Sequence, residues 1–181
     1  AAMADFEAAL SAPAVSRTDV LRAMASASAD VENWKNLEVS AGRLRAADPS
    51  DAKALVWLAQ ALVKRGDFAE AQKEIPQARL RVAKLADPNE RPELEAELAY
   101  WSAEMLRQRF EQVRIARPGV GEDKVVETKA KLLEAVEKEY TKVAQAGSGR
   151  WAIAALYEVG NAYSEFGDFL GTTSVPKEIG P

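Results

Sequence analysis

Two stretches of this chain carry one pattern. Leu55-Val56-Trp57-Leu58-Ala59-Gln60-Ala61-Leu62-Val63-Lys64-Arg65-Gly66-Asp67-Phe68 is the first, and Leu156-Tyr157-Glu158-Val159-Gly160-Asn161-Ala162-Tyr163-Ser164-Glu165-Phe166-Gly167-Asp168-Phe169 the second. Each sets an apolar residue, then an apolar and a small one three and four positions on, then another apolar one, and each closes on Gly-Asp-Phe. That stripe has the period of a helix face. The closing triplet predicts a helix stopped at glycine and a second helix opened by an aspartate cap. Self-similarity of this kind decides architecture before any single residue does, and it points to stacked helical units that bind partners.

Composition supports helices throughout. Hydrophobic residues make up 48% of the 181 positions but aromatics only 7%, so the apolar content leans on alanine, the best helix former. No run alternates Val, Ile, Thr and aromatics in the manner of a strand, and no sheet is expected. The balance of 24 basic and 28 acidic residues argues against a nucleic-acid binder, whose domain carries a basic footprint. No apolar run reaches the roughly 18 residues that a membrane span needs. The chain has no cysteine and no histidine. An imidazole triad, a His-ligated zinc and a Glu-x-x-His di-iron pair are thereby excluded, and no cofactor is expected.

Breakers divide the chain. Residues 1–15 read as a short helix or flexible lead with a stop at Ser11-Ala12-Pro13. Helices are expected from Thr18-Asp19, from near Asp30 to Ala47-Asp48-Pro49, from about Asp51 to Arg65, and from near Asp67 to Ala86-Asp87-Pro88. Pro76 should kink or split the last of these. Two helices of about 25 residues each follow, roughly 37 Å long. They run from Pro92 to about Arg117 and from Glu122 to about Ala146, and are joined by a turn at Pro118-Gly119-Val120-Gly121. A last helix is expected over Trp151–Phe166. Trp34, Trp101 and Trp151 lie on or beside their apolar stripes and read as core, whereas Trp57 falls one step off its stripe.

The paired pattern resembles the tetratricopeptide repeat, a helix-turn-helix unit. Leu55, Leu58, Ala59, Leu62, Gly66, Asp67, Phe68 and Ala71 fit its roles, as do Leu156, Val159, Gly160, Tyr163, Gly167, Asp168 and Phe169. Leu21, Met24, Ala25 and Trp34 carry a weaker copy. The resemblance implies an all-α, TPR-like solenoid of antiparallel helix pairs interrupted by an elongated central hairpin. On that reading 16–88 form two helix pairs, 89–147 the hairpin, 148–170 the first helix of a further pair, and 171–181 a tail. Ala1-Ala2-Met3-Ala4 is not an ordinary translation start, so the chain reads as a piece of a larger protein.

In that family first helices line a concave groove. The resemblance therefore implies a non-catalytic module that binds a peptide or helix of a partner protein in a bacterial complex. Its groove would be lined by Lys53, Val56, Trp57, Gln60, Val63 and Lys64, with Tyr157, Asn161 and Ser164 from the last helix. A structural spacer or homo-oligomerisation element is the alternative. Gly149-Arg150-Trp151-Ala152 through Tyr163, with Ser174-Val175-Pro176-Lys177, is similar to repeat proteins of the bacterial cell envelope, including gliding machinery, which favours the envelope over the cytoplasm.

Charged clusters have ordinary readings. Arg107, Arg109, Arg114 and Arg117 fit cations at a helix C-terminus, facing its dipole, better than an acidic partner. Glu134, Glu137 and Glu139 interleave with Lys131, Lys138 and Lys142 at helical spacings that stabilise an exposed helix. Lys53, Gln60, Lys64 and Asn161 fit a carboxylate clamp poorly, because glutamine stands where asparagine belongs.

Overall fold

A computed structural model describes residues 2–11, 15–116 and 121–173, with the side chains of residues 2 and 3 left out. The expected stop at Ala12-Pro13, Arg117, the turn residues Pro118, Gly119 and Val120, and the tail from Ser174 onward lie outside them. The described residues are all helical, with no strand: α1 (Ala2–Leu10), α2 (Arg17–Asp30), α3 (Trp34–Ala47), α4 (Ala52–Lys64), α5 (Phe68–Val82), α6 (Glu90–Gln112), α7 (Glu122–Gln145) and α8 (Gly149–Leu170).

Capping chemistry sets most of the helix starts. Ser16, Asn33, Asp51 and Ser148 each accept a hydrogen bond from the backbone N–H three residues on, at 3.4, 3.1, 2.9 and 3.4 Å. The aspartates named as openers are displaced accordingly. The expected start near Asp30 moves to Trp34, because α2 continues through Ala27-Ser28-Ala29 and Asn33 supplies the cap. The helix expected to reach Ala86 ends at Val82. Pro76 neither splits nor ends α5: it and Gln72, whose carbonyl loses its helical donor, are both exposed.

Each helix packs on the next, from α1 on α2 through α7 on α8. The even-numbered helices also touch one another in order, α2 to α4, α4 to α6 and α6 to α8, whereas no described odd-numbered helix touches another. Direction alternates accordingly. In the α4/α6 pair Lys53 meets Glu97 and Lys64 meets Glu104, so the two run parallel. In the α6/α7 pair Lys129 meets Phe110 while Tyr140 meets Glu104, an antiparallel hairpin of two helices of 23 and 24 residues.

α4 is apolar on nearly every side and is enclosed accordingly by α2, α3, α5 and α6. Leu58, Leu62 and Ala61 are buried, and so are Val56 and Val63 on a further face. A second part of the core is aromatic. Tyr100 stands 5.1 Å from Trp101, 5.5 Å from Tyr140 and 5.0 Å from Trp151, centroid to centroid, locking α6, α7 and α8 together. Trp101 and Trp151 are thus core residues as expected, while Trp34 is half-buried.

Candidate functional site

Four helices of the even-numbered row converge on a cleft of about 230 Å³. The end of α2 gives Ser26, Ala29 and Asp30; α4 gives Lys53, Trp57 and Gln60; α6 gives Glu97; α8 gives Arg150 and Trp151. On α4, Lys53, Trp57, Gln60 and Lys64 recur at i, i+4, i+7 and i+11, a single helix face. Three of these four line the cleft, and Lys64 continues the same seam against α6.

The seam is polar and self-satisfied. Lys53 Nζ donates to Glu97 Oε2 at 2.5 Å and lies 5.2 Å from the Trp57 ring centroid. Lys64 Nζ reaches Glu104 Oε1 at 3.4 Å, and the buried Tyr140 hydroxyl donates to Glu104 Oε2 at 2.8 Å. Burial, with the Glu104 carboxylate beside it, pushes the Tyr140 phenol far above its ordinary value, so it acts as a donor and not as a base. Arg150 lies over the Trp151 ring at 5.2 Å. The arrangement holds charged groups in place over aromatic faces and presents no activated nucleophile.

Further along, a fully buried lysine ties three helices. Lys129 of α7 donates to the Phe110 carbonyl at 3.0 Å and to Glu165 Oε1 of α8 at 2.8 Å, and its Nζ sits 4.1 Å from the Phe110 ring centroid. A cation thereby closes the C-terminal end of α6, where the dipole favours it. Arg107 joins through Glu165 Oε2 at 2.9 Å and Glu111 at 2.7 Å. The basic stretch read from the sequence is therefore largely consumed inside the protein: Arg107 is buried, Arg114 approaches Glu165 at 3.6 Å, and Arg109 stays exposed.

Not every expected groove residue belongs to one surface. Val56 and Val63 are both 0% exposed. Each sits one position off the Lys53–Lys64 face, and that offset turns it into the enclosed side of α4; neither lines a groove. Tyr157 and Ser164 hold the equivalent positions on α8 but are exposed, away from the cleft, while Asn161 is half-buried and donates to Glu158 Oε2 at 3.3 Å. The residues of α8 that share the Lys53 register are Ala154, Glu158, Asn161 and Glu165.

A second surface went unread. Ile153, Leu156, Tyr157, Tyr163 and Leu170 are 73%, 63%, 67%, 48% and 41% exposed. With Gly160, Ser164 and Gly167 they form one uncharged stripe along α8. The signal was present in the i, i+3, i+4 spacing, but the same spacing describes a core face. Only the absence of a covering helix tells them apart.

No helix among the described residues is long and apolar enough to cross a membrane. No family model, curated protein or solved structure matches the chain.

Proposed function

We propose that this chain is a non-catalytic protein–protein interaction module of TPR-like helical-repeat type, and that it takes a helix or peptide of a partner. The carrying observation is the contrast between α4 and α8. Both have one sequence pattern, yet Leu55 and Leu62 are 7% and 6% exposed, whereas their counterparts Leu156 and Tyr163 are 63% and 48% exposed. Contiguous exposed apolar surface of this kind marks interaction sites. The alternation of helix direction and the even-numbered row support the repeat reading.

The alternative, a self-packing hairpin, has less behind it. The outward residues of α7 include Lys131, Glu134, Lys138 and Thr141, which offer no apolar face to a copy. The test is a pull-down from lysate of the source organism with the intact chain and an Ile153→Asp/Leu156→Asp variant. Both sites are exposed, so the variant keeps its fold. Proteins retained by the intact chain and lost with the variant support the module reading; identical captures reject it.

A further inference from the structure

We propose that the bare face of α8 receives a basic amphipathic helix of a protein partner, lying antiparallel to α8 as α5 lies on α4. The inference rests on the interaction-module reading and adds the partner's charge and pose.

The pose follows from the packing of the rest of the chain. α3 packs on α2, α5 on α4 and α7 on α6, so each even-numbered helix from α2 to α6 carries the odd-numbered helix that follows it. Among the described residues α8 carries none. Leu55, at the start of α4, shares a cleft with Gln77 and Leu80 near the end of α5, which fixes that pair as antiparallel. Its α8 counterpart, Leu156, is open to solvent. Gly160 and Gly167 stand seven residues apart on the same stripe, and a Cβ built at either would meet nothing within 4 Å. Two such gaps, two turns apart, let an incoming helix approach closely and seat larger side chains.

The charge of the occupant follows from the flanks. The stripe itself is neutral. On the α7 side stand Glu134 and Glu137; Tyr163 donates to Glu137 Oε2 at 2.6 Å, and both carboxylates push the Tyr163 phenol above its ordinary value. On the other side stand Glu158 and Asp168. The interleaved lysines of α7 leave this row alone: Lys131 pairs with Glu127, and Lys142 with Glu139. Among the described residues none of these four flanking carboxylates is in an ion pair, while Arg150 is the lone cation, at the start of α8. A second copy docked here would set acid against acid. Lysines and arginines flanking an apolar face would meet complementary charge.

The probes are two fluorescent synthetic helices with one leucine stripe, one flanked by lysines and the other by glutamates. Each is titrated by anisotropy into the full chain at low salt and at about 0.5 M salt. The lysine-flanked helix is expected to bind about tenfold tighter at low salt, with the gap closing at high salt. Leu156→Asp should weaken both helices, and Glu134→Lys/Glu137→Lys should erase the preference, with circular dichroism unchanged in each. If the glutamate-flanked helix binds equally well and still depends on Leu156, the docking face stands and the basic partner is wrong. If neither helix responds to Leu156→Asp, the module reading fails at this face as well. Sedimentation showing a dimer that Leu156→Asp dissolves would assign the face to a second copy. Markedly tighter peptide binding after removal of residues 174–181 would assign it to the chain's own tail. Either result overturns the proposal.

Discussion

At Gly66-Asp67-Phe68 the chain turns, and at Gly167-Asp168-Phe169 it runs straight on. In the first copy α4 ends at Lys64 and Gly66 takes φ +77°. The Asp67 N–H reaches the Leu62 carbonyl at 2.9 Å and the Gly66 N–H reaches Val63 at 3.0 Å, the paired bonds of a Schellman stop. In the second copy α8 continues to Leu170, and the stop expected after Phe166 is absent. The difference lies in what the phenylalanine touches. Phe169 is buried, stacked 6.2 Å from Phe166, with Lys129 Nζ 5.0 Å from its ring. One more helical turn keeps both rings on the same side, against the Lys129–Glu165 tie. A glycine before an aspartate permits a stop, and tertiary packing decides whether it is used.

The largest expected effect separates the two copies by burial at equivalent positions. Val56→Asp places an unpaired charge in a fully enclosed site and should cost about 4 kcal/mol or more, enough to unfold a chain of ordinary stability. Tyr157→Asp, its α8 counterpart at 67% exposure, should stay within about 0.5 kcal/mol. Urea unfolding of both variants reads this directly. Similar midpoints would mean that the two helices are equally covered in solution.

The next effect concerns the tie that holds the second copy straight. Glu165→Ala leaves the buried Lys129 and Arg107 without their shared carboxylate. The loss should be about 2–3 kcal/mol, below the usual range for breaking a fully buried pair, since Glu165 keeps a quarter of its surface. Acid should act on the same contact. Burial alone would raise the Glu165 carboxyl, but its bond to Lys129 and the charges of Lys129 and Arg107 outweigh this and hold it below the ordinary 4.5. The folded state therefore binds this proton more weakly than the unfolded chain. The stabilisation is fully present above about pH 5 and drains as pH falls through the lowered folded value. Unfolding midpoints at pH 7 and pH 3 should show a smaller acid loss in Glu165→Gln than in the intact chain; an equal loss would place the acid sensitivity elsewhere.

Helix positions were largely legible because they depend on local chemistry. Asp51 before Ala52, Gly66 after the α4 stripe and the two long periodic runs on either side of residue 118 declare themselves within a few residues. Which face of a helix meets solvent is a long-range property. Val56 and Tyr157 occupy one place in the pattern, yet neighbours that enclose the first leave the second bare. The cleft was half legible for the same reason. Lys53, Trp57 and Gln60 share a visible face, but Glu97, Arg150 and Asp30 come from helices 20 to 100 residues away, and no local spacing links them.

The smallest effect is the one that tests the two glycines against each other, and its sign carries the information. Gly66 sits in the left-handed region, where any Cβ clashes with the following carbonyl, so Gly66→Ala should destabilise by roughly 1–2 kcal/mol. Gly167 lies inside a continuous helix with open space where its Cβ would be. There alanine lowers the entropy of the unfolded chain and favours the helix, so Gly167→Ala should stabilise by roughly 0.5–1 kcal/mol. Thermal midpoints should therefore move in opposite directions. A Gly167→Ala variant that loses stability would mean that the second Gly-Asp-Phe is also a stop in solution. α8 would then end near Phe166, and the bare stripe would lose Leu170 and its second glycine gap.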